Sequence, residues 1–141
     1  MRYLGLDLGN RSLGVAISDS SGIVATGYET YRFSEKDLPN VVEYVKILCD
    51  TKKIDVIVLG LPKNMDGSLG FQAKYVLEFK KMLEDSLNQE VVLIDERLTT
   101  IQVNRMMIEA DLSRKKRKKE VDRLAATIIL QSFLDRISKK N

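Results

Sequence analysis

Three strand-like segments crowd into the first 33 residues, joined by connections too short for any crossover, and this constrains the fold more than any other feature of the chain. Residues 2–8, 13–19 ("LGVAISD") and 22–33 ("GIVATGYETYRF") read as strands, with Asn10 and "DSSG" supplying the turns. Strands linked this tightly must form an antiparallel meander, because a parallel pair needs a connection of a dozen residues or more.

Beyond residue 33 the grammar changes to helix and strand in alternation. Asp37 can cap a helix with Pro39 in its first turn, and Leu38, Val41, Val42, Val45 and Leu48 supply its apolar stripe. "IDVIVLG" at 54–60 and "EVVLID" at 90–95 are short, almost wholly apolar runs of the kind buried on both faces of a sheet. Between them "LPKNMDG" reads as a loop, and Ser68 as the cap of a helix carrying Phe71, Tyr75, Phe79, Met82 and Leu83 at helical spacing. A shorter helix is predicted over about 101–110 and a long apolar one over about 118–138. The order predicts an α/β fold: a five-stranded mixed sheet, three strands antiparallel and the later ones parallel to the first, with helices on both faces.

At 141 residues and 44% apolar composition, the chain is expected to form one compact domain over 1–141. No stretch of about 18 uncharged apolar residues could span a bilayer, and the first residues lack the pattern of a signal peptide, so a cytoplasmic protein with no membrane partner is expected. The lone Cys49 falls in an apolar helical pattern and reads as core. The chain has no histidine, which removes Ser-His-Asp and Cys-His nucleophile pairs, imidazole zinc sites and the zinc deaminase signature together. Any catalysis must then rest on carboxylates, lysine, tyrosine or a hard metal ion.

Charge is unevenly placed. Arg114, Lys115, Lys116, Arg117, Lys118 and Lys119 form an unbroken run of six cations, and without them the chain has 17 basic against 20 acidic residues. A focused positive field suits a nucleic-acid phosphate backbone; a solvated charge run at a helix start is the plainer alternative.

Asp7 interrupts a strand core, and alternation puts it on one face with Tyr3 and Gly5, opposite Leu4, Leu6 and Leu8. It lies near the carboxyl end of the first strand, as Asp95 and Glu96 lie at that end of the last one, and open α/β sheets place their chemistry along this edge. Asp95 follows Val91 and Leu93 while Glu96 follows Val92 and Ile94, so the two acids point to opposite faces and one of them is expected to reach the site. On the final helix Asp122 heads a stripe with Ala125, Ala126, Ile129 and Phe133, whose small alanines would permit close approach to the sheet. Singly, Asp122 could be a first-turn acid and Asp95 a turn residue. Together, grouped carboxylates in low dielectric must take up protons or recruit a cation, and without histidine or a thiolate pair the cation is Mg²⁺ or Mn²⁺.

"GLDLGNRSLGVAISD", "IVLGLPKNMDGSLG", "DERLTT" and "VDRLAATIILQSFL", in this order, closely resemble the YqgF/RuvX family over nearly the whole chain. That family has the fold of ribonuclease H and the bacterial Holliday junction resolvases, and is linked to maturation of the 5′ end of pre-16S ribosomal RNA and to junction resolution. The resemblance implies a carboxylate metal site in which the first-strand aspartate is Asp7, the acid of the "DER" block is Glu96 or Asp95, and the last-helix aspartate is Asp122. It also implies a nucleic-acid partner, pre-rRNA or branched DNA, and a homodimer if two strands of a junction are cut. The family often carries two basic residues after the first glycine; here Asn10, Arg11 and Ser12 leave Arg11 alone for a phosphate contact.

The mechanism expected is hydrolysis of a phosphodiester, with Asp7, Glu96 and Asp122 holding one or two divalent ions. Arg97 and Lys63 are candidates to offset charge on the phosphorane, with Arg97 equally readable as a structural ion-pair partner. The loop from Pro62 to Gly67, with Asn64 and Asp66, opens at the same edge and could touch substrate, or be a glycine-assisted turn without chemical role. Two readings from other classes stand beside this one. A ribonuclease H fold can persist as a non-catalytic binding module, against which the three acids argue. Sugar-kinase and actin ATPases also open on an Asp-x-Gly turn, but they clasp nucleotide between two such domains.

Overall fold

The computed structural model of the protein describes residues 1–64, 66–95 and 114–138, the side chains of 114–122 excepted. The meander is present as β1 (Tyr3–Leu8), β2 (Ser12–Ser18) and β3 (Ala25–Arg32). It is followed by α1 (Leu38–Lys52), β4 (Val56–Leu61), α2 (Phe71–Ser86), β5 (Glu90–Asp95) and α3 (Arg114–Ser138). The five strands make one sheet in the order β3-β2-β1-β4-β5. β1 is antiparallel to β2 and β2 to β3, while β4 is parallel to both β1 and β5, so the expected mixed sheet is observed.

Alternation along the strands sorts the core into two layers. Leu4, Leu6 and Leu8 pack with Leu13, Val15, Ile57 and Leu59 beneath α1 and α2, meeting Val41, Val45, Val76, Phe79 and Leu83. Each such side chain removed from water contributes ~1.5–3 kcal/mol. On the opposite face Ala16, Val58 and Ile94 meet Ala126, Ile129, Leu130 and Leu134 of α3. Cys49 is buried in the first layer, where loss of water pushes its thiol up to about 12. Among the described residues no helix is long and apolar enough to cross a membrane.

Helix α1 begins as the sequence implies, with the Asp37 carboxylate accepting from the Asn40 amide and a proline in the first turn. Helix α2 does not. Its cap position is Gly70, with no side-chain hydrogen bond, because Ser68 is spent on the preceding turn, where its hydroxyl and amide both donate to Asp66. Phe71 also departs from expectation. It stands as the first residue of α2 and is 94% exposed, while Ala73, Val76, Phe79 and Leu83 form the buried stripe. Helix α3 starts at Arg114, four residues before the predicted position, so the basic run belongs to its first two turns. The helix expected over 101–110 falls outside the described residues.

Candidate active site

The geometry around Asp7 follows from two close approaches of α3 to the sheet. A Cβ added to Gly5 would lie 2.7 Å from the Leu130 Cβ and 3.0 Å from the Ala126 carbonyl oxygen. Such distances leave no room for a side chain, so glycine here is what lets α3 lie directly on β1. At Gly27 of β3 the corresponding atom would lie 2.9 Å from the Arg123 Cγ and 3.0 Å from the Thr127 hydroxyl. With Ala16 fully buried between them, the sheet offers α3 a floor of small residues spanning three strands.

Asp7 follows Gly5 on this same face, two residues nearer the carboxyl edge, and is half-buried. Its neighbours within the sheet contribute no side chains. Gly14 is its partner across the antiparallel pair. On the other side, β1 and β4 are in register from Tyr3–Val56 to Leu6–Leu59, so the next residue of β4 beside Asp7 is Gly60. Asp7 is thus flanked within the sheet by two buried glycines, so no side chain of a neighbouring strand stands beside its carboxylate on the face that α3 covers.

Of the two strand-end acids, Asp95 falls within the described residues. Asp95 pairs with Leu61 and follows Val91 and Leu93 on the side of α1 and α2, opposite to Asp7. Ile94, beside Gly60, is on the α3 side. Glu96 and Arg97 lie outside the described residues. Asp122 and the cations Arg114, Lys115, Lys116, Arg117, Lys118 and Lys119 belong to α3 by their backbone, and their side chains lie outside the description. Among the described residues no three acids or thiols form a metal-binding group.

The direction of α3 is fixed by its contacts. The rings of Tyr3 and Phe133 lie 5.7 Å apart, and Gly5 meets Leu130 and Ala126, so the helix runs antiparallel to β1. Two strand residues advance ~6.6 Å and four helix residues ~6 Å, which keeps the two elements in step.

Other predicted residues occupy the surrounding edge. The Pro62–Gly70 loop closes on itself: the Asn64 side-chain amide donates to the Ser68 hydroxyl at 3.0 Å, the Asn64 backbone amide donates to the Ser68 carbonyl at 2.9 Å, and Gly67 turns at a φ of 90°. Asn64 thus has a structural task in the loop. Lys63 is half-buried beside it. Arg11 is exposed and sits 3.4 Å from Glu35, a solvated pair of little energetic weight. Its loop is held by Phe33 and Lys36, whose amides donate to the Arg11 and Asn10 carbonyls. Gln72, not singled out in the sequence, donates its side-chain amide to the Leu8 carbonyl at 3.1 Å and ties the start of α2 to the end of β1. Gly14 and Gly60 were likewise missed as site residues, although a glycine inside each of two strand-like runs is itself a mark of close approach.

Comparison with known proteins bears on the fold and the family. The family model described as "RuvX: Holliday junction resolvase" matches residues 1–136. A protein of Clostridium kluyveri named "Putative pre-16S rRNA nuclease" is 53% identical over 139 residues, covering 99% of this chain and all of that protein. A protein of Clostridium botulinum with the same name is 52% identical over the same span. Among solved structures, the chain is similar to Thermus thermophilus RuvC in complex with a Holliday junction substrate, with a TM-score of 0.61 and 14% identity over 98% of this chain and 96% of that one. It is also similar to the fowlpox virus resolvase bound to Holliday junction DNA, with a TM-score of 0.55 and 17% identity over 97% and 99% of the two chains. At those identities the structural likeness establishes the fold, and the full-length sequence matches establish the family: the chain belongs to the RuvX family.

Proposed function

We propose that this chain is a divalent-metal-dependent nuclease acting at the 5′ end of pre-16S ribosomal RNA, with Asp7, Glu96 and Asp122 as the metal-holding carboxylates. The observation that carries the reading is Asp7 itself: a half-buried acid at the carboxyl edge of the sheet, flanked by Gly14 and Gly60 and facing α3. The substrate assignment draws on the relatives at 52–53% identity over their whole length.

Register supports the other two acids. The antiparallel run of α3 carries it from Leu130 and Ala126 above Gly5 toward the end of β1 where Asp7 lies, and position 122 is the next turn beyond Ala126 in that direction. Glu96 follows Ile94, which is on the α3 side, and continued alternation would keep it on the face of Asp7. Asp95 is on the other face, which favours Glu96 as the strand-end ligand.

The donor set fits a hard cation. Only carboxylate oxygens converge in this reading, the chain has no histidine, and the one thiol is buried and held in its protonated form. Oxygen-only ligation suits Mg²⁺ or Mn²⁺. When bound, such an ion supplies activation of water and neutralisation of charge on the phosphoryl oxygens. The carboxylates would hold the ion at the edge where the scissile phosphate is presented, and the glycines beside Asp7 put no side chain between them. Lys63 and Arg97 are proposed to offset charge developing on the phosphoryl group.

Binding is assigned to the start of α3. Its first six residues are cations and its first turn holds no acid, against the preference of a helix N-terminus for negative charge. A local conflict of this kind is accounted for by an anionic partner, here the nucleic-acid backbone. Arg11 supplies a further exposed cation at the same edge. With that substrate, a cytoplasmic location is expected.

Incubation with Mn²⁺ and a panel of RNA 5′ ends, single strands and four-way DNA junctions, wild type beside Asp7→Asn, tests the reading. Cleavage of the RNA ends that is lost in the variant is expected; undiminished cleavage by the variant refutes the metal assignment. The family description favours a second reading, junction resolution, which would require two sites and hence a homodimer. Cutting of the four-way junction alone by a dimeric protein would select it.

A further inference from the structure

The most exposed large apolar side chain among the described residues is Phe71, at 94%. Sequence periodicity places it in the core, yet the core closes without it through Ala73 and Val76. Isolated exposed apolar residues are ordinary on protein surfaces. What sets Phe71 apart is its position: it precedes Gln72, whose side chain holds the Leu8 carbonyl, one residue beyond Asp7. The ring therefore stands at the same carboxyl edge of the sheet as Asp7, on the side that α1 and α2 cover.

Its surroundings suit a nucleotide better than a protein partner. Lys74 and Tyr75 follow at the i+3 and i+4 positions that neighbour Phe71 on the helix surface. The Lys36 ammonium sits 6.0 Å from the centre of the Tyr75 ring. Leu69 is the one other exposed large apolar residue in the adjoining loop among those described. An aromatic ring presents roughly 150–250 Å². A stable protein interface needs about 800 Å² per partner. The apolar area at this end of α2 falls well short of that, whereas it matches the face of one base, with cations beside it for the phosphates.

We propose that Phe71 is a stacking platform for an unpaired nucleobase of the substrate strand, at the same sheet edge as the phosphate presented to Asp7. The proposal rests on the nuclease reading above for its choice of substrate, and it narrows that substrate to a strand with at least one unstacked base near the cleavage point. Every base has a π-face, so the contact selects for strand state and not for sequence.

The test uses full-length protein in the cleavage-deficient Asp7→Asn background, with Phe71 intact, Phe71→Ala or Phe71→Trp. Two probes of equal length are compared at fixed salt: an RNA duplex with a single-stranded extension, and a blunt RNA duplex. Phe71→Ala is expected to weaken binding of the extended probe by about tenfold while leaving the blunt one unchanged, and Phe71→Trp to restore it. A 2-aminopurine in the extension should lose fluorescence on binding only when residue 71 is aromatic. Because Phe71 is exposed, the variants are expected to fold, and circular dichroism checks this. Unchanged binding by Phe71→Ala, or an equal loss on both probes, overturns the proposal. Wild-type cleavage with Mn²⁺ is scored separately. Cleavage together with a silent Phe71→Ala overturns stacking alone, and Phe71-dependent binding without any cleavage overturns the nuclease reading alone.

Discussion

Gly5 and Leu130 approach so closely that the Cβ glycine lacks would stand 2.7 Å from the leucine Cβ. This one approach sets the height of α3 above β1, and through it the depth at which Asp7 is presented. Enlarging residue 5 must push the helix away or strain the strand, which for overpacked cores costs ~1–3 kcal/mol. Gly5→Ala should lower the melting temperature by several degrees, and Gly5→Val by more, measured by calorimetry. Cleavage should fall further than the fraction unfolded accounts for. Wild-type stability in Gly5→Val would show that α3 does not rest on β1.

Asp7→Asn is isosteric and sits where neighbouring strands offer only Gly14 and Gly60. We expect metal-dependent cleavage to drop on the order of a thousandfold, equivalent to ~4 kcal/mol in the barrier. The sheet should remain intact by circular dichroism. Chelation of the wild type should produce the same loss, reversibly on adding Mn²⁺. Two losses of very different size would place Asp7 outside the metal site.

The basic turns of α3 predict a salt signature. Replacing Lys115, Lys116 and Lys118 with glutamine should weaken binding to unrelated sequences alike. It should also flatten the dependence of log Kd on log salt, by ~0.9 for each duplex phosphate no longer neutralised or ~0.7 for a single strand. An unchanged slope would put the run away from the nucleic acid.

Cys49 gives a pH prediction. Burial raises its thiol from 9.0 to about 12, so the folded state holds the proton more tightly than the unfolded chain does. The sign follows from linkage: the contribution is fully present below pH 9 and is lost as pH rises from there through about 12. Native protein at pH 8 should resist alkylation until denaturant is added. Cys49→Ala should remove part of the alkaline destabilisation between pH 9 and 12. Rapid labelling of the native thiol would contradict its burial.

Local pattern alone carried much of this. Short turns dictated the meander, the near-continuous apolar runs of β4 and β5 marked buried parallel strands, and alternation in β1 separated Asp7 from Leu6 and Leu8, because side-chain direction in a strand is set by parity. The start of α2 was misread for a related reason. Helical spacing says which residues share a face but not where the sheet beneath them stops, so Phe71 falls on the apolar stripe yet projects beyond the core. Ser68 was likewise drawn away by Asp66, a competition among polar partners that a capping rule cannot foresee.

What the sequence by itself determined was the set of elements, their order, and which carboxylates could matter, since these depend on neighbours along the chain. Only the tertiary structure decided that Gly14 and Gly60 flank Asp7, that Asp95 is on the other side of the sheet, and that Gln72 holds α2 against the end of β1. Those relationships join residues far apart along the chain. Register and packing between strands bring them together, and no local periodicity encodes them.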